Sequence, residues 1–259
     1  MSNLRLFFFL VGSLSLTALA CGQHYPKGID PRSPVDHGQW DALLKEYVSP
    51  EGWVDYRAWQ KDTVRLQAYL DLLSSAHPQP DWSREEEMAY WINAYNAFTV
   101  ELVLDHYPVE SIKDIKRGIP FVNSVWDIRF IRIQGEEYDL NRIEHGILRK
   151  YFADARVHAA LNCASYSCPR LRGEAYMPAR LDEQLDAAMR IFVNDPLRNR
   201  VQAGQAELSK IFSWYGGDFK EDAGSLRQFI DRYAVEPLSE DGQIRYLEYD
   251  WSLNDEDLH

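Results

Sequence analysis

One run limits the folds open to this chain more than any other. In residues 83–106, Met88-Ala89-Tyr90-Trp91-Ile92-Asn93-Ala94-Tyr95-Asn96-Ala97-Phe98-Thr99-Val100 follows Ser83 and the acids Glu85, Glu86 and Glu87. The serine and the acidic first turn mark a helix start, because a hydroxyl caps unpaired backbone N–H groups and negative charge suits the positive end of the helix dipole. Beyond that turn the helix is apolar almost all round. Such a helix must be covered on several sides. Asn93 and Asn96 share one face, and a buried amide left unsatisfied costs about 1–3 kcal/mol. They read either as clamps on neighbouring backbone or as the lining of a pocket.

The rest of the chain supplies the cover. Helices are expected over residues 37–48, 61–75 (Val64, Tyr69, Leu72 and Leu73 inward), 178–192 (Leu181, Leu185, Ala188 and Met189 inward) and 225–233. A helix over 141–151 carries Asn141 as cap and Glu144 at the third position, the pattern of a capping box. Period-two alternation across residues 124–140, with Gln134-Gly135-Glu136 as a turn, predicts a hairpin. Short strands are expected at 156–162, 208–212 and 243–249. The resulting expectation is α+β: a mostly helical single domain over 37–259, with a small, mainly antiparallel sheet against which the Trp91 helix packs. At 259 residues and 46% hydrophobic, the chain can bury a sizeable core.

Residues 1–20 read as an export signal: Arg5 is the basic end, and the apolar stretch from Leu6 to Leu19 is too short to span a bilayer. Ala18-Leu19-Ala20 before Cys21 suits ordinary cleavage and also resembles a bacterial lipoprotein box. With Cys21 lipidated, an even pair remains, Cys163 and Cys168. The expectation is an exported protein, periplasmic or an outer-membrane lipoprotein facing the periplasm, with residues 21–36 as a Pro-rich tether. Net charge is −12 at pH 7, which argues against nucleic acid as a partner.

Chemistry concentrates in residues 156–171, R-V-H-A-A-L-N-C-A-S-Y-S-C-P-R-L. Read as a strand, this run turns Val157, Ala159 and Leu161 to the core and His158 and Asn162 to the other side, over the small Ala160. Four readings of the cysteines stay open. They form a disulfide, as oxidation in an exported protein favours; one is a nucleophile served by His158; they bind metal with His158 and His145, at a spacing looser than usual; or they are two free thiols.

Four ordered motifs then carry a resemblance: residues 90–97, Ile143-Glu144-His145-Gly146-Ile147-Leu148-Arg149, His158-Ala159-Ala160-Leu161-Asn162-Cys163 with Ser167-Cys168-Pro169, and Leu208-Ser209-Lys210-Ile211-Phe212. Together they resemble the family called domain of unknown function 547, with its core at about 85–219. The resemblance brings no settled reaction. It implies that the histidine and first cysteine recur, while the second cysteine can be serine in plant members, which weighs against an obligatory disulfide. The order of helix, histidine segment and strand is also distantly similar to papain and transglutaminase folds, although those place cysteine at the start of the central helix.

Three functions are in view. One is a thiol enzyme acting on amide or ester bonds by acyl transfer, with Cys163 as nucleophile, His158 as base and Asn162 or Asn93 as orienting or oxyanion-binding groups. Its substrate, a small molecule or peptide of the envelope, would meet Asn96, Tyr90, Trp91, Tyr95, His145, Glu144, Lys210 and Trp214. The second is a binding module built on the same aromatic residues with Trp126 and Tyr215. The third is a lipoprotein scaffold for protein partners. No cofactor and no metal is expected.

Overall fold

A computed structural model describes residues 32–116 and 124–259. The leader, Cys21 and most of the tether lie outside the described residues. Helix α1 (Gly38–Tyr47), the single turn α2 (Tyr56–Trp59) and α3 (Thr63–Ser75) lead into α4 (Arg84–Leu104). Ser83 caps α4 as its sequence foretells: its hydroxyl accepts from the Glu86 amide, and the Glu86 carboxylate accepts from the Ser83 amide. Sixteen of the 21 residues of α4 are buried. This is the central helix the sequence demands.

Helix α3 turns Leu66, Tyr69, Leu70 and Leu73 inward. Val64 does not join them and is 79% exposed. It stands two residues from Leu66, about half a helical turn away, and so faces the opposite side.

The expected hairpin is present but shorter. Strands β1 (Ile131–Ile133) and β2 (Glu136–Tyr138) pair antiparallel, Ile131 opposite Tyr138. Gln134 and Gly135 both take positive φ at the turn, +48° and +84°, the geometry that a two-residue hairpin requires. The hairpin meets α4 through Tyr138, whose ring centroid lies 5.5 Å from that of Trp91. Residues 124–130, expected to extend the alternation, instead begin with a 3-10 turn over Val125–Asp127.

Arg142–Phe152 winds as a π-helix rather than an α-helix. Its cap is Asp139, which accepts from the Arg142 amide at 2.7 Å. Asn141 does not cap; its side-chain amide donates to Asp127 at 2.6 Å. An acid three residues ahead of Arg142 outcompetes the amide.

The largest departure falls on residues 156–162. They are not a strand: Ala155–Ala159 forms a 3-10 helix capped by Asp154, which accepts from the Arg156 amide at 3.0 Å. Val157, Ala160 and Leu161 enter the hydrophobic cluster around α4, while Ala155 and Ala159 enter a second cluster. A short apolar run buried on two sides looks the same to periodicity whether it is strand or helix.

That second cluster is built from α5 (Leu181–Val193), a three-stranded sheet and the helices that follow it. Strand β3 (Arg200–Gln202) pairs antiparallel with β4 (Gln205–Leu208). Beyond β4 come α6 (Ile211–Trp214), α7 (Gly216–Ala223), α8 (Leu226–Asp231) and β5 (Gln243–Tyr246), which returns parallel to β4. The expected strand at 208–212 ends at Leu208, because the Ser209 hydroxyl accepts from the Ile211 amide and starts a helical turn. The architecture is α+β, with two small sheets in place of one. Among the described residues no helix is long and apolar enough to cross a membrane.

Candidate functional site

His158 sits in the 3-10 segment, 3% exposed. Its Nε2 lies 2.8 Å from Oδ2 of Asp218, on α7. Arg149 of the π-helix donates to both oxygens of that carboxylate, Nε at 2.7 Å and Nη2 at 2.8 Å. Asp218 is held well below the usual carboxylate range by the hydrogen bonds from His158 and Arg149. Burial lowers the imidazole despite the nearby carboxylates of Asp218 and Glu144. A neutral ring that donates from Nε2 leaves Nδ1 as its basic nitrogen.

Tyr215 fixes the plane of that ring. The two rings stack with centroids 3.9 Å apart and an interplanar angle of 21°. The Tyr215 hydroxyl donates to Oε1 of Glu144 at 2.6 Å, and the Arg149 guanidinium lies 4.8 Å from the Tyr215 ring centroid. Tyr215 and Asp218 are three residues apart where α7 begins, so one helical turn brings both to the histidine.

Cys163 follows on a loop whose path is set by amides. Asn96 of α4 donates to the Ala160 carbonyl at 2.9 Å and accepts from the Asn162 amide at 2.9 Å. Asn162 donates to the Pro169 carbonyl at 2.8 Å and accepts from the Ala164 amide at 3.0 Å. The C-terminal segment closes over this loop: the Tyr166 amide donates to the Ser252 carbonyl at 2.7 Å and the Asp250 amide to the Ser167 hydroxyl at 2.9 Å. That pairing delivers Tyr249. The Cys163 sulfur lies 3.2 Å from the Ser165 hydroxyl and 3.3 Å from the Tyr249 hydroxyl, and these two hydroxyls are 3.0 Å apart.

Both thiols are free. The Cys163 amide donates to the Cys168 sulfur at 2.8 Å. Burial pushes the Cys163 thiol up, but hydrogen bonds with Cys168, Ser165 and Tyr249 outweigh it and the net shift is downward. Cys168 moves the other way, pushed well up by burial and by Cys163 beside it. Of the pair, Cys163 is the more readily ionised and the less buried.

His158 and Cys163 line one cavity of about 300 Å³. Tyr95, Glu144, His145 and Trp214 are also on its wall, with Trp126, Asn141, Tyr215, Tyr249 and Trp251. The other sequence candidates lie elsewhere. Asn93 clamps the backbone of Tyr176, donating to its carbonyl at 2.7 Å and accepting from its amide at 3.0 Å. Tyr90 is fully buried and donates to the carbonyls of Leu73 and Ala76. Trp91 packs between His77, Tyr90 and Tyr138. Asn96, Asn162 and Lys210 do not line the cavity either; the first two shape the loop that does. Among the described residues, no group of three or more His, Cys, Asp or Glu side chains is placed to hold a metal ion.

The sequence reading missed Asp218, Arg149, Ser165, Tyr249 and Trp251. Arg149 and Ser165 lie inside stretches that the sequence singles out, and Asp218 follows Tyr215 by three residues, but none of the three was given a site role. Nothing local marks Tyr249, which lies 86 residues from the cysteine it touches.

Residues 80–193 match the family model described as "Protein of unknown function, DUF547", so the resemblance carried by the motifs is shown for this segment. No curated protein and no solved structure matches the chain. Asp218, Tyr215, Trp214, Tyr249 and Trp251 all lie C-terminal to the matched segment.

Proposed function

We propose that this DUF547 protein is a thiol-dependent acyl-transfer enzyme or hydrolase of amide or ester bonds. The observation that carries this reading is that Cys163 and His158 line one cavity, with the His158 imidazole held by the Asp218 carboxylate. In the proposed step the sulfur attacks the substrate carbonyl carbon, and the thiol proton passes to Nδ1 of His158. The imidazolium so formed is stabilised by Asp218. The same proton then leaves with the departing amine or alcohol as the C–N or C–O bond breaks, giving an acyl-thioester. Water or a second nucleophile releases the acyl group and restores the thiol.

Tyr249 and Ser165 serve the sulfur as hydrogen-bond partners, which favour the thiolate over the thiol. A distant papain- or transglutaminase-like relationship belongs to this proposal at the level of chemistry. The histidine–carboxylate pairing is similar in kind, but Cys163 follows the histidine on a loop and does not head the central helix. Export, and lipid attachment at Cys21, complete the reading and would place the site in the envelope.

A binding module is the second reading. One observation favours it: no hydrogen bond joins the Cys163 sulfur to the His158 ring among the described residues. Incubation with p-nitrophenyl acetate, followed by mass mapping, separates the two. An acetyl group on Cys163, lost in His158→Ala, supports the enzyme; an unmodified Cys163 under conditions that acetylate small thiols leaves the binding module.

A further inference from the structure

We infer that the Cys163–His158 cavity takes a cationic group, an alkylammonium, held against aromatic faces beside the Glu144 carboxylate. The inference rests on this cavity being the working site, as proposed above, but not on its thiol being reactive.

Six described residues of the wall are tyrosine or tryptophan: Tyr95, Trp126, Trp214, Tyr215, Tyr249 and Trp251. Trp251 is the hub: its ring centroid lies 4.4 Å from that of Tyr249, 5.5 Å from Trp126 and 5.8 Å from Trp214. Indole and phenol faces carry negative quadrupole potential and attract cations. Among the described residues no lysine or arginine lines the cavity, and Glu144 is the one carboxylate there. Arg149, beside the site, is engaged by Asp218 through two hydrogen bonds.

Glu144 is 8% exposed. One of its oxygens accepts from Tyr215, and the residue stands on the cavity wall. A carboxylate set among ring faces is a recognition element for ammonium. The chain itself supplies a second observation. The Lys113 ammonium, which is not part of the cavity wall, lies 4.6 Å from the centroid of Trp251. The hub of the aromatic cluster already holds one cation.

The test compares choline with neohexyl alcohol, its uncharged isostere of the same shape, and with the matching neohexyl carboxylate. Binding to the full chain is read by tryptophan fluorescence and by calorimetry, in the native protein and in Cys163→Ala, which removes any covalent chemistry. Choline is expected to bind about tenfold or more tightly than the alcohol, and the carboxylate least tightly. Glu144→Gln is expected to bring choline and alcohol to near parity. Trp214→Ala, at a half-exposed position that no core depends on, is expected to weaken choline several-fold while leaving the unfolding curve in place. Equal or tighter binding of the alcohol, or no saturable choline binding, overturns the inference. Loss of the acetyl adduct with choline preference intact would sink the enzyme reading alone; the converse would sink this one alone.

Discussion

Asp218 accepts the Nε2 hydrogen of His158 at 2.8 Å across sixty residues of sequence. That contact fixes the imidazole tautomer, joins the matched DUF547 segment to the C-terminal third of the chain, and leaves Nδ1 as the nitrogen able to take a proton. Because Arg149 binds the same carboxylate, the charge that steadies the ring is itself compensated.

Asp218→Asn should therefore damage the site and the fold together. The asparagine cannot pair Arg149 by charge, and the loss is expected at about 1–3 kcal/mol at pH 7. Asp218 has a folded pKa below the ordinary carboxylate value. Its contribution is thus present above the unfolded pKa of about 3.9 and lost as pH falls through the folded value. Urea unfolding of both proteins should show a gap at pH 7 that closes in strong acid. A gap independent of pH would contradict this account.

Stability should also fall between neutral pH and pH 4, for a different reason. His37 is buried against Tyr69 and burial lowers its pKa to about 4; burial lowers His158 too. For a histidine whose folded pKa lies below the unfolded value, the unfolded chain binds more protons in that window. Its stabilising effect is full above about pH 6.5 and is lost as pH drops toward the folded value, by on the order of 3 kcal/mol for His37. In His37→Gln the slope of stability against pH from 6.5 to 4 should be much shallower than in the native protein.

Tyr249→Phe deletes one hydroxyl from the triangle of Cys163, Ser165 and Tyr249. Losing a hydrogen bond to the thiolate raises the thiol pKa. The midpoint of the alkylation rate against pH should move upward, with Cys163 remaining the modified residue. An unchanged midpoint would mean that the hydroxyl does not act on the sulfur.

Asn96→Ala tests the loop clamp. It leaves the Ala160 carbonyl and the Asn162 amide without their buried partner, at about 1–3 kcal/mol for each group. Tyr90→Phe, in the same helix but away from the cavity, should cost less and leave Cys163 reactivity unaltered. If Asn96→Ala changes stability but not the rate at Cys163, the clamp holds the fold and not the site.

What the sequence disclosed follows the range of each interaction. Helix α4 was legible because Ser83, Glu86 and its apolar residues are local instructions that agree with one another. The hairpin turn was legible for the same reason, since Gln134-Gly135 alone sets its geometry. His158 and Cys163 could be singled out by residue type, but the strand assigned to them was wrong, because Ala155 and Ala159 face a second core that no local pattern announces. Asn93 and Asn96 could be read as backbone clamps or as pocket lining, and the structure makes both clamps. Which backbone each holds, 83 and 64 residues away, had no local sign. Tyr249 and Trp251 reach the site only because the C-terminal segment pairs with residues 165–167, a long-range event without a motif.

The most direct test of the central claim is the alkylation of native protein by an iodoacetamide probe, with the modified residue mapped, in the wild type and in His158→Ala. The account expects Cys163 to react at neutral pH, Cys168 to stay protected, and the rate at Cys163 to drop at least several-fold when the imidazole is removed, with the unfolding transition still cooperative. A Cys163 that is inert in the folded wild type, already oxidised to Cys168, or equally reactive without His158 would contradict it.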